Sequence, residues 1–404
     1  MAVPDEGSKI KARASYTAKP STIRDINRSI VLNLIRLHQP ISRASLSGRT
    51  GIFRSNVSDI VEELLAENLL VERPGRPSGP GRVPVMLSLN DRGFHVTGIS
   101  IRPRHTTVAV AGLTGEIQDS RTFPTSAHTG VWLRSVETAV ADLLQRARGK
   151  RAQEIRQIAV SVPGFVNAET GQIRWLPQLP GYSDLDLTGE LEHRLGAPAA
   201  ADNDCNLGAL AELWLSEADG DHIRDFVFLE IGQEGVGAGI MLDRELYRGH
   251  DVTLAAEFGH MIVDLNGPSC NCGRKGCWEL YVRDLATFAR YRPGVRLTEK
   301  RFDEFLDAAR AGQCDAHAPL EETARYLSLG ISNIAFALNP NVIVVAGQIR
   351  SVWDMIHATI ERTFASPKLS VPVRPARLPA EQMFLRGAIH LALSKTFGRP
   401  RLGW

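Results

Sequence analysis

"GHMIVDLNGPSCNCGRKGCWE", Gly259 to Glu279, gathers one His, three Cys and a closing Glu into a single short loop. Its donors are His260, Cys270, Cys272 and Cys277. Four soft or borderline ligands make a closed tetrahedral set, which suits zinc and leaves no open position for a catalytic water. Gly267, Gly273 and Gly276 allow a tight course round one ion, and Arg274 and Lys275 offset the thiolate charge. With so few apolar residues, the loop would take its folding energy from the metal. A structural zinc is the expectation, against the plainer reading of reduced cysteines in a surface loop.

Working outward, Glu257 and Glu279 flank the ligands. If zinc fixes both flanks, these carboxylates converge, and converging acceptors suit the hydroxyls of a polyol. Either could equally be solvated. Cys205 and Cys314 stand apart from the cluster and read as small buried hydrophobes. Three of five cysteines crowded together point to metal in a reducing compartment and away from a disulfide framework.

The chain of 404 residues is long enough for two or three domains. It lacks an apolar run of membrane-spanning length and the layout of a secretion signal, so a cytoplasmic address is expected. The net charge of +2 is uneven: residues 1–90 hold 13 Lys/Arg against 8 Asp/Glu, and the remainder is slightly acidic. A basic front end on an acidic body suggests a polyanion partner for the front end alone.

Met1 to Pro20 shows no apolar periodicity and reads as a disordered basic arm. Residues 21–90 carry three helical patterns and a hairpin. Ile26, Ile30, Val31, Leu34, Ile35 and Leu37 stripe the first helix. Ser42 caps a second that Gly51 ends. The third, Arg54 to Asn68, turns Val57, Ile60, Val61, Leu64 and Leu65 inward. "LLVERPGRPSGPGRVPVMLSLN" then supplies two strands round a Gly/Pro/Arg loop. This is the winged helix-turn-helix arrangement. Its candidate DNA contacts are Arg43, then Arg54, Ser55, Asn56 and Ser58 on the recognition helix, and Arg76 and Arg82 in the wing.

From residue 91 to 404 the texture is α/β. Strand-like runs such as "HVTGISI", "TTVAVAGL", "QIAVSVPGFV", "DFVFLEIG" and "NVIVVAG" alternate with helices over Val131 to Arg148 and Glu321 to Leu338. A strand is also predicted through "APAAADND". The β-rich opening recurs after Asp225, which predicts two related α/β halves with a cleft between them.

"LAAEFGHMIVD", "CNCGRKGCWE", "VSVPGFVNAETG", "LPQLPGY", "ADNDCN", "GVGAGIMLDRELYRG" and "LNPNVIVVAG" stand in the order and spacing of a known family. Together with the helix-turn-helix, they resemble the transcriptional regulators of the ROK family (repressor, open reading frame, kinase). The resemblance implies a two-lobed, actin-like (ribonuclease H-like) domain over residues 91–404, with its zinc loop at 257–279. It implies sugar contacts at Asn203, Asp204, Glu257, His260 and Glu279, with His260 bridging metal and sugar.

The family's kinases open with Asp-x-Gly-Gly-Thr, where this chain has Ser100 to Arg104, and their second phosphate turn is Gln233–Glu234–Gly235 here. Neither turn keeps the kinase pattern. Glu234 would repel phosphates, and Arg102 and Arg104 could bind an anion without rebuilding a magnesium site. No catalytic residue is therefore expected, and Asp204 reads as a hydrogen-bond acceptor for a sugar hydroxyl. Gln178 and Ala256 depart from the residues usual in the family and reshape the pocket edge. The resulting expectation is a zinc-containing, homodimeric or homotetrameric repressor of carbohydrate genes, released from a DNA operator by a sugar or sugar phosphate. The alternative is an active ATP-dependent sugar kinase carrying a DNA-binding head.

Overall fold

The computed structural model describes residues 20–76, 83–91, 94–147, 155–250, 255–364 and 370–397. Of the arm expected over Met1 to Pro20, residues 1–19 lie outside the described residues, as does Arg82 in the expected wing, while Pro20 opens the first helix. The chain divides into two compact units, one ending at Leu89 and including Phe397, the other spanning Asn90–Thr396.

The first unit contains α1 (Pro20–His38), β1 (Ile41–Ser42), α2 (Arg43–Thr50), α3 (Arg54–Ala66), β2 (Leu70–Pro74) and β3 (Val85–Leu89). Its antiparallel sheet runs in the order β1-β3-β2. Ser42 accepts the Ser45 N–H at the start of α2, and Gly51, at φ 71°, returns its own N–H to Ser47. A side-chain cap of this kind contributes about 1 kcal/mol. Val57, Ile60, Val61 and Leu64 are buried on α3, with Leu46 of α2.

Two helical details differ from the sequence pattern. On α1 the buried face is Val31, Leu32 and Ile35, whereas Leu37 is 47% exposed. At about 100° per residue, Leu37 falls opposite Ile35. Helix α3 stops at Ala66, because Asn68 takes φ 61° and turns the chain into β2.

The second unit begins with β4 (His95–Ile101), β5 (His105–Ala111), β6 (Ile117–Pro124), α4 (Thr129–Ala147), β7 (Ile155–Val162), β8 (Phe165–Val166), β9 (Ile173–Trp175), α5 (Leu187–Leu195), β10 (Ala199–Asn203) and α6 (Asp204–Ala218). It continues with β11 (Phe226–Ile231), β12 (Val236–Leu242), β13 (Glu245–Tyr247), α7 (Glu279–Val282), α8 (Asp284–Tyr291), α9 (Glu299–Arg310), α10 (Cys314–Leu338), β14 (Val342–Gly347), α11 (Trp353–Phe364), β15 (Val373–Pro375) and α12 (Ala380–Phe397).

The two large sheets repeat one plan. In the order β10-β7-β4-β5-β6, the meander β4–β5–β6 is antiparallel, and β7 and β10 add in parallel on the other side of β4. In the order β13-β12-β11-β14-β15, the meander β11–β12–β13 is extended in parallel by β14 and β15. This duplication is the actin-like pair of lobes expected from the sequence. The strand predicted through "APAAADND" ends at Asn203, whose side chain caps α6 by accepting the N–H groups of Cys205 and Asn206.

Each lobe has its own core. In the first, Trp132 is fully buried, donates to Thr106 Oγ1 at 2.9 Å and meets Tyr182 edge-on. In the second, Trp278 is fully buried and donates to the Tyr326 carbonyl at 2.7 Å. Among the described residues no helix is long and apolar enough to cross a membrane.

Candidate functional site

The loop between β13 and α7 brings the ligand atoms of His260, Cys270, Cys272 and Cys277 within 4.8 Å of one another. Cys272 Sγ lies 3.5 Å from Cys277 Sγ, and Cys270 Sγ lies 3.6 Å from His260 Nδ1. Metal–ligand bonds of about 2.0–2.3 Å arranged tetrahedrally put ligands about 3.3–3.8 Å apart, and these two separations match a metal of that size and geometry. Burial pushes the Cys270 thiol up to about 12, while the Arg274 backbone N–H leads the groups that draw Cys272 down to about 6.

The loop is held by its backbone. Cys270 N–H donates to the Arg274 carbonyl at 2.8 Å, and Gly276 N–H to Pro268 at 2.8 Å. Gly276 has φ 66°, and a Cβ there would lie 1.6 Å from the Asp264 carbonyl oxygen, so only glycine fits.

His260 turns Nδ1 toward the cysteines and Glu279, 3.5 Å from Glu279 Oε1, and Nε2 toward Glu257, 4.0 Å away. Cys270 Sγ also reaches Glu279 Oε1 at 3.0 Å. The Glu257 carboxyl is raised by burial, with His260 opposing and Glu279 and Asp204 adding to the rise. Glu257, His260, Glu279 and Asp204 thus share one electrostatic neighbourhood.

Asp204 opens α6 and is buried. Its Oδ2 accepts from Arg102 Nη1 at 2.7 Å, and its Oδ1 from the Cys205 N–H at 2.9 Å. Arg102 stands where β4 turns into β5. It brings Nη2 to 3.8 Å from Glu230 Oε1 of β11 and rests its guanidinium 4.9 Å from the Phe384 ring centre. Burial pulls the Arg102 guanidinium down, but the Asp204 and Glu230 carboxylates outweigh it. Burial raises Asp204 against the pull of Arg102, and raises Glu230 to about 7 with Asp204 adding to the effect.

The neighbouring Asp202 accepts Arg248 Nε at 2.8 Å and Nη2 at 2.6 Å through Oδ2, and Asn206 Nδ2 at 2.8 Å through Oδ1. Asn203, besides capping α6, donates Nδ2 to the Gly164 carbonyl at 3.1 Å.

At the second turn, Gly232 N–H donates to the Gly235 carbonyl, and Arg283 Nη1 to the Glu234 carbonyl at 3.0 Å. Both arginines raised as anion binders have carboxylate partners within the chain. Arg102 is held by Asp204, and Arg104 lies 2.9 Å from Glu299. Sequence reading missed the Arg102–Asp204–Glu230 grouping, since nothing local joins positions on β4, α6 and β11.

In the first unit, Arg54, Ser55 and Asn56 are exposed at the start of α3, Ser58 is half-buried and donates Oγ to the Arg54 carbonyl, and Arg76 is exposed. Arg43 is engaged internally, 2.7 Å from Glu62 and paired with Glu72. Phe53, 80% exposed immediately before α3, was not singled out by sequence pattern, although an unpaired aromatic before a polar helix start was the available signal.

Lobes of this duplicated topology define an actin-like protein with a site set on its loops. A model of the ROK family matches residues 96–394, and the chain belongs to that family. It is 27% identical over 354 residues to a xylose repressor of Bacillus spizizenii, covering 86% of this chain and 89% of that one. A solved ROK family transcriptional regulator, a homologue of the E. coli MLC protein, superposes with TM-score 0.80 at 24% identity over 93% of this chain and 98% of its own. A ROK family glucokinase from Streptomyces griseus, solved with glucose and AMPPNP, shares the fold at TM-score 0.62 and 23% identity, over 74% of this chain and 99% of its own.

Proposed function

We propose that the chain is a sugar-responsive transcriptional repressor that acts in the cytoplasm on a double-stranded DNA operator, as a homodimer or homotetramer. The observation that carries this reading is joint coverage. The likeness to a xylose repressor takes in 86% of the chain, more than the ROK-matched residues 96–394 alone contain. Exposed Arg54, Ser55 and Asn56 at the start of α3 suit a major groove, and Arg76 suits a phosphate. Arg43, tied to Glu62 and Glu72, would act by positioning α2.

Sugar hydroxyls would meet Asp204, Glu257, His260 and Glu279, with Asn203 shaping the same corner through its cap. A zinc ion held by His260 Nδ1 and the Cys270, Cys272 and Cys277 thiolates would be structural, since a closed set of four supplies no open position. It would hold Glu257, His260 and Glu279 in place for hydroxyls. Because a ligand shifts an equilibrium only by binding its two states unequally, sugar and operator should each weaken the other's binding. An operator titration with and without the sugar tests this, and equal affinities would refute it.

Phosphoryl transfer is not part of the proposal. The first turn carries Arg102 and Pro103 where the kinases carry glycines, and Asp204 is bonded to that arginine. The rival is a sugar kinase with a DNA-binding head, and an ATP-dependent phosphorylation assay across hexoses decides between them. Robust turnover would establish the rival.

A further inference from the structure

Resting on the sugar site proposed above, we infer that the effector is a free sugar, bearing neither phosphate nor carboxylate, and that Arg102 and Arg248 set this selectivity by being already bound to buried carboxylates of the Asp202–Asn206 block. An anionic sugar needs a cation or a set of donors that the protein can turn toward it. The two guanidiniums bonded into the Asp202–Asn206 block are both taken. Arg248 gives two hydrogen bonds to Oδ2 of Asp202, whose side chain is 2% exposed. Arg102 is bonded to Asp204, whose side chain is 9% exposed, and stands near Glu230.

Drawing either arginine onto a phosphate would leave a buried carboxylate without its partner, and truncating one member of a buried pair is strongly unfavourable. The remaining carboxylates in the same neighbourhood, Glu257 and Glu279 on either side of His260, repel an anion and accept hydrogen bonds from hydroxyls. His260 is oriented between Glu257 and Glu279. A free sugar can donate its hydroxyls to these carboxylates, whereas its phosphate ester meets them as like charges.

One arginine offers the opposite outcome. Arg283 donates Nη1 to the Glu234 carbonyl, and its Nε is buried with no hydrogen-bond partner among the described residues. If an anion has a receptor at the second turn, it is this group.

The test uses the full-length protein and calorimetric titration with D-xylose, D-glucose and N-acetyl-D-glucosamine, a phosphate ester of each, and D-glucuronate. At least one free sugar is expected to bind, with its phosphate ester and the sugar acid on the order of a hundredfold weaker or worse. Equal or tighter binding of a phosphate ester would overturn the inference while leaving the sugar site standing. Binding of none of the free sugars, esters or acid would overturn the sugar-site reading, and the inference with it.

Two variants locate the cause. In Arg283→Gln the preference for the free sugar should be unchanged. In Arg102→Gln, which exposes Asp204 and Glu230 to the ligand uncompensated, the phosphate ester should bind more weakly still. Selective loss of a measurable anionic-sugar affinity in Arg283→Gln would identify that arginine as an anion receptor and refute the assignment, and a phosphate ester that binds Arg102→Gln as well as the wild type would refute the part given to Arg102. The wild-type panel decides the matter even if a variant fails to fold.

Discussion

Trp278 packs against Gly330 so closely that a Cβ on the glycine would lie 2.0 Å from the indole. The contact joins the second lobe's core to the metal loop, because Trp278 sits between Cys277, a candidate ligand, and Glu279, a candidate sugar contact. The indole is fully buried and donates to the Tyr326 carbonyl of α10, the helix that also carries Gly330. The loop's C-terminal end is therefore fixed by packing.

Gly330→Ala forces a methyl into this contact, and a rigid ring cannot yield as a flexible side chain would. The expected cost is about 1–3 kcal/mol of stability, read by chemical denaturation, with weaker metal retention and sugar binding because Cys277 and Glu279 move with the ring. Unchanged stability and metal content would show that the packing does not position the loop.

Removing a ligand separates the metal's role from that of the fold. Cys272 is exposed and belongs to the donor set, so Cys272→Ser takes away a thiolate without opening a core cavity. About one zinc per chain is expected in the wild type and much less in the variant. Operator binding should persist while the sugar response is lost. Metal analysis together with a DNA-binding assay checks both, and a full sugar response after complete zinc removal would break the proposed coupling.

The metal loop was legible in the sequence because its ligands are local: Cys270, Cys272 and Cys277 fall within one turn of chain, and His260 just ahead of them. The repeated α/β plan was legible for a similar reason, since each meander is built from consecutive apolar runs. Arg102 and Asp204 are 102 positions apart, and the sheet order β10-β7-β4 that brings their two strand ends to one edge is not written in either segment. Leu32 and Leu37 show the limit at short range. Both are apolar at plausible spacing, and only the packing of α1 decides that the first is buried and the second exposed.

Glu230 makes stability depend on pH. Burial raises its carboxyl from an ordinary 4.5 to about 7. Between those values the folded chain keeps a proton that the unfolded chain has released, so this contribution is fully present below 4.5 and is lost as pH rises through about 7. Glu230→Gln cannot ionise and should flatten that part of the profile. Relative to the variant, the wild type should lose at most about 3 kcal/mol across the window, measured by urea denaturation at about pH 5 and about pH 8. Parallel profiles would mean that Arg102 keeps Glu230 ionised throughout.

Asn56 at the exposed start of α3 and Arg76 after β2 should fail in different ways. Asn56 carries an amide able to pair with a base edge, so Asn56→Ala should cost about 1–3 kcal/mol on the preferred operator and relax discrimination at one position. Arg76 carries a charge suited to phosphate, so Arg76→Ala should weaken binding to all sequences alike and lower the salt slope by about one. Fluorescence anisotropy across a salt series distinguishes the two, using operator variants for the first and unrelated duplex for the second. Both residues lie in the first unit, and the metal cluster with Asp204, Glu257 and Glu279 in the second, so neither substitution should alter sugar affinity in the absence of DNA. A changed sugar affinity would show that these side chains act otherwise than by contact with DNA.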